Sequence, residues 1–390
     1  MVGLIYLTVF GLYGILLFNM TPSQIPLESV RGRNVLLKVA YDLPSLEDTA
    51  RIENTLDTLH YLLERNNRVL ISTHWGRPDG FDLAYSTTQL MPILAKLYRR
   101  RFKEKLNVQP LDQYEYFEDG NVRRLRRVLN LFKGAVVMLE NSRYHEAERS
   151  SDQAERNALA QQYALIADAV VNEAFPLRHR KEVTNTELTA LLPTALGLSY
   201  QAELSALNKL RSPQKPFTII LGGAKLGTKL PLLEHLLPRV DYALLAGQSA
   251  FPFLKLQGEV DVRRTKVDES QQALVQKLHE QYSKKLVLPR DFRFDTDGVA
   301  LDVGPETIKQ FSEIIDKSQT VFWNGPLGRY EEAEFAEGTK QIAAHLAKLK
   351  DAYTVVGGGD TIANLTPARA AKISFLSMGG GATLDYLANL

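Results

Sequence analysis

The chain has 390 residues, of which 45% are hydrophobic and 24% charged, with 25 Gly, 17 Pro and no Cys. Such a length holds two or three domains at about 150 residues each, and the lack of cysteine excludes a disulfide scaffold, thiolate metal sites and a cysteine nucleophile while fitting a reducing compartment. With 47 basic and 45 acidic side chains the formal charge is +2, spread evenly over the two halves, and neither half carries a field that selects nucleic acid.

Positions 1–27 carry no charged side chain, and Val2–Phe18 is almost wholly apolar. A membrane helix needs about 20 such residues, so the run is marginal in length. No Lys or Arg precedes it and no small-x-small site follows it, which argues against a cleaved secretory signal. Three readings of residues 1–19 stay open: a misassigned start with translation from Met20, a membrane anchor, or a buried core helix. In the second, Arg31 and Arg33 would hold the body of the protein in the cytoplasm.

Beyond Met20, short β-rich runs alternate with amphipathic segments. Asn34–Val39 reads as a strand, and Arg51–Arg65 has helical apolar spacing through Ile52, Leu56, Leu59, Leu62 and Leu63. Arg68–Thr73 is a second strand, closed by a turn at Gly76-Arg77-Pro78. Ala135–Leu139, Ala167–Val171, Phe217–Leu221 and Tyr242–Leu245 repeat the theme. So do Lys285–Leu288, Thr320–Trp323, Tyr353–Val356 and Ile373–Leu376. Strands separated by helices predict a parallel α/β architecture. The arginine bursts Arg99–Arg101 and Arg123–Arg127 have Glu104, Glu118 and Asp119 nearby and read as solvated helix faces. A joint near Pro193–Gly197 leads into a helix over about Ser199–Leu210.

In the second half, glycine-rich turns directly follow strand-like runs: Gly222-Gly223-Ala224-Lys225, Gly357-Gly358-Gly359-Asp360 and Gly379-Gly380-Gly381-Ala382. Without side chains the backbone N–H groups approach an anion closely, and a following helix N-terminus adds its dipole. Lys225 and Lys229 stand four apart, so both face the same phosphates if a helix has begun there. Asp360 suits Mg²⁺, which prefers oxygen ligands, although an N-cap role is the plainer alternative. No P-loop, dinucleotide-binding or protein-kinase motif is present. In the first half Arg51, His74, Arg77, Arg143 and Arg180 sit at strand ends or helix starts, and guanidinium groups suit capture of phosphate or carboxylate. Together these features read as a basic anion site in one domain and a nucleotide site in the other.

The strings His74-Trp75-Gly76-Arg77-Pro78, Leu139-Glu140-Asn141-Ser142-Arg143-Tyr144-His145 and Gly222-Gly223-Ala224-Lys225 resemble those of the phosphoglycerate kinase family. Trp323-Asn324-Gly325-Pro326, Gly357-Gly358-Gly359-Asp360-Thr361 and Ser377-Met378-Gly379-Gly380-Gly381-Ala382 continue the resemblance from about Arg31 to the C-terminus. It implies two Rossmann-like lobes with parallel sheets joined by a hinge helix. The divisions expected are 1–19 as an apolar extension, 20–192 as the phosphoglycerate-binding lobe and 193–210 as the hinge. Residues 211–372 would form the nucleotide-binding lobe, and 373–390 a glycine loop and helix packing back toward the first lobe.

The same resemblance implies transfer of a phosphoryl group between 1,3-bisphosphoglycerate and MgADP by a cytoplasmic, monomeric enzyme, with no nucleic-acid partner. The lobes would close to bring the reactants in line and exclude water. By motif match, Ala40, Tyr41, Asp42, Arg51, His74, Trp75, Gly76, Arg77, Arg143, His179 and Arg180 fall at acceptor positions. Gly223, Ala224, Lys225, Lys229, Gly247, Asn324, Pro326 and Glu331 fall at nucleotide positions. Gly357, Gly358, Gly359, Asp360 and Thr361 match the metal–nucleotide loop, with Asp360 as the Mg²⁺ ligand. Arg51, Lys225 and the amides at Gly380 and Gly381 would clamp the moving group.

The chain departs from the family pattern in two places. Lys38-Val39-Ala40-Tyr41-Asp42-Leu43-Pro44 stands where the family has Arg-Val-Asp-Phe-Asn-x-Pro, so Ala40 replaces a substrate-bonding aspartate and Asp42 introduces a negative charge. After Phe175, Pro176, Leu177, Arg178 and Glu182 replace members of Gly-Thr-Ala-His-Arg-Ala-His, while His179 and Arg180 are retained. Gln248 also stands in place of a family glycine. Either the acceptor lip is rewired, with Asp42 taking the hydroxyl contact and Arg178 offsetting its charge, or acceptor binding is impaired and the protein acts as a nucleotide binder or a regulatory interaction partner.

Overall fold

The structure is a computed structural model that describes residues 24–118, 121–130, 136–258 and 269–389. The readings of residues 1–19 lie outside the described residues. The chain divides into two compact units, with the boundary between Ala202 and Glu203.

In the first unit, strands β1 (Asn34–Lys38), β2 (Arg68–Ser72), β3 (Val108–Leu111), β4 (Val136–Leu139), β5 (Ala169–Asn172) and β6 (Thr194–Leu196) form one sheet. Its order is β3-β4-β2-β1-β5-β6, and every pairing is parallel. Successive side chains on a strand point to opposite faces. Val35 and Leu37 therefore enter one core with Val69, Ile71 and Met138, while Leu36 enters the other with Leu70 and Val137. Helices cover both faces, which is why the strands read as continuous apolar runs.

The expected helix over Arg51–Arg65 is two helices, α1 (Ala50–Glu53) and α2 (Leu56–Glu64). The break falls at Thr55, whose hydroxyl lies 2.9 Å from the Ile52 carbonyl and 2.5 Å from the Tyr41 phenol. Such side-chain bonds compete with the helical ladder. The arginine burst at 99–101 is solvated: Arg100 pairs with Glu53 at 2.9 Å and Arg101 with Asp57 at 2.8 Å, all exposed. Exposed pairs of this kind contribute about 0–1 kcal/mol.

In the second unit, β7 (Phe217–Leu221), β8 (Tyr242–Leu245), β9 (Leu286–Val287), β12 (Thr320–Asn324), β13 (Tyr353–Gly357) and β14 (Phe375–Ser377) form a second parallel sheet. Its order is β14-β13-β12-β7-β8-β9. A separate antiparallel ribbon, β10 (Phe292–Phe294) with β11 (Ala300–Val303), was not expected from the sequence. Helix α3 (Leu198–Asn208) spans the boundary between the units, α4 (Leu226–Leu236) follows β7, and α5 (Gly381–Ala388) packs against α4. No helix among the described residues is long and apolar enough to cross a membrane.

Candidate active site

In a parallel α/β sheet, ligand-binding loops gather at the carboxyl ends of the strands. The sheet order of the second unit places the glycine turns there as neighbours. Gly222 follows β7, Gly247 lies just beyond β8, Gly325 follows β12, and Gly357 closes β13. Their contacts require glycine. At Gly325, with φ of +91°, a Cβ would lie 2.3 Å from the Gly222 carbonyl oxygen and 2.7 Å from Lys229 Nζ. The Gly223 N–H donates to the Pro326 carbonyl at 2.7 Å, and Thr361 Oγ1 accepts the Gly325 N–H at 2.8 Å. Thr361 thus ties the 357–361 loop to the 325 turn.

Beside these turns is a cavity of about 290 Å³, lined by Gly223, Ala224, Gly247, Pro326, Glu331 and Asp360 of the expected nucleotide set. Gln248 also lines it, together with Phe251 and Phe292, which give it an apolar wall. Lys225 is exposed and holds the N-cap position of α4, with no side-chain bond to the helix. Lys229, one turn later, is buried against the glycine turns. Burial lowers its ammonium to about 8, against the opposing pull of Asp360. A buried cation makes sense where an anion is to arrive.

As pH rises through about 8, Lys229 loses its charge, and the KM for ADP is expected to rise with it. In Lys229→Met that alkaline limb disappears and KM stays high throughout. An identical alkaline limb in the variant would assign it to another group.

Asn324, at the end of β12, is buried, and its amide makes no hydrogen bond among the described residues. Its Nδ2 faces Gly357 and Gly358. Asp360 is not an N-cap, since Gly358 holds that position. One of its oxygens accepts the Tyr330 hydroxyl at 3.1 Å, and the other has no hydrogen bond among the described residues. No group of three or more His, Asp or Glu able to hold a metal occurs among the described residues. An exposed carboxylate with one oxygen left without a hydrogen bond among the described residues, beside an anion loop, still fits Mg²⁺ that is held mainly by substrate phosphates.

Around Gly380 and Gly381, at the start of α5, a Cβ would meet nothing within 4 Å. The preceding loop is held by Glu203, which sequence reading missed. Its carboxylate accepts the Ser377 hydroxyl at 2.8 Å and the Met378 N–H at 2.7 Å. Burial lifts this carboxyl to about 7. No local pattern marks Glu203, because its partners are far along the chain. Glu203→Ala leaves those donors unpaired and is expected to lower stability by about 1–3 kcal/mol, read by urea unfolding. An unchanged midpoint would show that the loop has other support.

The first unit arranges its basic side chains by the same rule. Asp42 follows β1, His74 follows β2, Arg143 follows β4 and Arg180 follows β5, and these four strands are adjacent in the sheet. Asn141 braces the 75–76 loop by donating to the Trp75 carbonyl at 2.7 Å, and Arg143 donates to the Gly76 carbonyl. Gly76 has φ of +67°, and a Cβ there would lie 2.3 Å from the Tyr85 ring. Trp75 donates its indole N–H to the Leu43 carbonyl at 3.2 Å, and Arg51 donates to the Asp42 carbonyl at 2.5 Å.

Asp42 Oδ1 accepts the Gly76 N–H at 2.9 Å, and Oδ2 stands 3.6 Å from His74 Nε2. Burial opposes its charge, but His74, the Gly76 amide and Arg143 bring the carboxyl down to about 2. His74 is fully buried, and burial holds its imidazole below the ordinary value, so it is neutral near pH 7. Neither ring nitrogen has a hydrogen-bond partner among the described residues.

The rest of the expected acceptor set is placed less directly. Tyr41 turns its ring into the core, with its phenol on Thr55, so its side chain serves packing. Ala40 packs on Ala174 and Leu177. Arg77 and His179 are exposed and make no hydrogen bond or ion pair among the described residues. Lys38, which the structure adds to the cluster, is buried with Nζ 3.8 Å from Glu148 and 3.6 Å from Glu182.

Two α/β units, one presenting clustered cations and the other a glycine-framed pocket with a buried lysine, define a phosphotransferase of the two-lobed type. The family model described as phosphoglycerate kinase matches residues 26–389. Phosphoglycerate kinase from Finegoldia magna is 34% identical over 386 residues, covering 92% of this chain and 94% of that protein. That from Clavibacter sepedonicus is 37% identical over 397 residues, covering 93% and 95%. Among solved structures, phosphoglycerate kinase from Pyrococcus horikoshii is similar with a TM-score of 0.77 and 27% identity, covering 94% of this chain and 96% of that one. The Coxiella burnetii enzyme gives 0.74 and 26%, covering 93% and 94%. The chain belongs to the phosphoglycerate kinase family.

Proposed function

We propose that this protein transfers a phosphoryl group reversibly between 1,3-bisphosphoglycerate and MgADP, giving 3-phosphoglycerate and MgATP. The observation that carries the reading is the glycine-framed pocket with Lys229 buried at its edge, on a chain that also holds the basic cluster of Arg143, Arg180 and His74. The alternative of a nucleotide binder with impaired acceptor binding is not favoured, because the matched relatives are phosphoglycerate kinases over nearly their whole length.

In the forward direction an oxygen of the ADP β-phosphate attacks the acyl phosphate, and the bond to the carboxyl oxygen breaks to release a carboxylate. Such transfer needs little covalent help from protein; positioning and charge stabilisation dominate. Lys225, Lys229 and the amides of the 223–224 turn would hold the nucleotide phosphates. Arg51 and the amides at Gly380 and Gly381 would stabilise the moving group, while His74, Arg143 and Arg180 hold the acceptor. Asp360 would hold Mg²⁺ together with those phosphates. When bound there, magnesium would supply neutralisation of phosphate charge.

A coupled assay with 3-phosphoglycerate and MgATP tests the reading. Saturable turnover in both substrates is expected. No turnover at high acceptor concentration, alongside measurable MgADP binding, would favour the nucleotide-binding alternative.

A further inference from the structure

Charged groups without hydrogen-bond partners gather at one point of the first unit. Glu182 is only 2% exposed. It lies 3.6 Å from Lys38, 3.7 Å from Arg143 and 3.7 Å from Arg180. These are ion-pair distances, and none is a closed hydrogen bond. Both Glu182 carboxylate oxygens, Lys38 Nζ, Arg143 Nε and both nitrogens of His74 lack hydrogen-bond partners among the described residues. Buried charges are costly unless paired and hydrogen-bonded. Glu182 is shared loosely among three cations, of which Lys38 also neighbours Glu148, and Lys38 Nζ and Arg143 Nε are left without hydrogen-bond acceptors among the described residues.

We propose that Glu182 is a specificity-determining residue of the acceptor site: an internal counter-anion that competes with the acceptor's anionic group for Lys38, Arg143 and Arg180. It thereby weakens binding of highly charged acceptors. The inference rests on the phosphoglycerate kinase reading for the identity of the acceptor. Burial opposes the charge of Glu182, yet Lys38, His74, Arg143 and Arg180 hold its carboxyl below the ordinary range, so the competing charge is present at neutral pH. Glu148, the other acid near Lys38, has its carboxyl raised by burial. Asp42 contributes a second negative charge near His74. The family string carries a histidine at the position of Glu182, so the feature belongs to this chain's altered lip.

The test compares the unmodified protein with Glu182→Gln and Glu182→His. Removing one like charge from a partly buried anion site is expected to lower the KM for 3-phosphoglycerate roughly five- to tenfold while the KM for ATP does not move. Competitive inhibition by sulfate strengthens by a similar factor. An unchanged or raised acceptor KM in both variants overturns the proposal. Variants that fold only when phosphoglycerate is supplied support it, because the acceptor then replaces the missing anion. Variants that fail to fold with or without acceptor make Glu182 a structural residue and overturn it. If the unmodified protein does not turn over phosphoglycerate, the functional reading fails instead, and sulfate binding followed by thermal melting still decides the role of Glu182.

Discussion

Lys225→Met is expected to lower kcat by about a hundredfold or more, with the melting temperature almost unchanged. Lys225 is exposed at the start of α4 and packs against nothing that its loss would open. It holds the N-cap position without a side-chain cap bond, so its substitution removes no cap interaction and shifts stability by about 0.5 kcal/mol or less. Lys225 stands at the N-cap of α4, next in the chain to the turn at Gly223 and Ala224, where the helix dipole favours phosphate charge. Removing one preorganised group of this kind costs on the order of 10²–10³ in kcat. Steady-state kinetics and thermal melting on the same preparation check both halves. A variant with full kcat would move the clamp to Lys229 and the backbone amides.

Gly325→Ala is expected to damage the fold and the site together. The backbone there has φ of +91°, and the added methyl would lie 2.3 Å from the Gly222 carbonyl oxygen and 2.7 Å from Lys229 Nζ. Left-handed strain and overpacking each cost about 1–3 kcal/mol, so a loss on the order of 2–4 kcal/mol is expected in urea unfolding. Because Lys229 must move, ADP affinity falls as well. A stable variant with unchanged ADP affinity would mean that the 222 and 325 turns separate freely, contrary to their contacts. Gly380→Ala meets open space and should strain only the backbone, which makes it a useful comparison.

The glycine turns of the second unit could be read from the sequence because glycines after apolar runs are local signals. Gly222 and Gly325 follow strands and Gly357 ends one, and parallel order alone brings those strand ends together. For Asp360 the structure removes the N-cap alternative, because Gly358 holds that position. The ribbon of β10 and β11 was not legible, since Phe292–Phe294 and Ala300–Val303 are too short to show alternation. The split between α1 and α2 depends on the Tyr41 phenol meeting Thr55, a tertiary contact with no local signature.

The acceptor side was legible as a set of cations but not as a charge balance. Arg143 and Arg180 stood out by their placement after strands. That Glu182 would sit among them and Lys38 depends on β1, β4 and β5 meeting in one sheet. Glu203 is a similar case: an acid within α3 whose partners Ser377 and Met378 lie near the other end of the chain. Composition records such residues only as surface charge until the fold buries them.

The central claim is that this altered acceptor lip still receives a phosphoryl group. Incubation with ATP labelled in its γ-phosphoryl group, Mg²⁺ and 3-phosphoglycerate tests it most directly. Label is expected on the acyl phosphate of 1,3-bisphosphoglycerate, only when acceptor is present, and not with Lys225→Met on the same time scale. Label that stays on ATP, or appears only as inorganic phosphate at saturating acceptor, would contradict it.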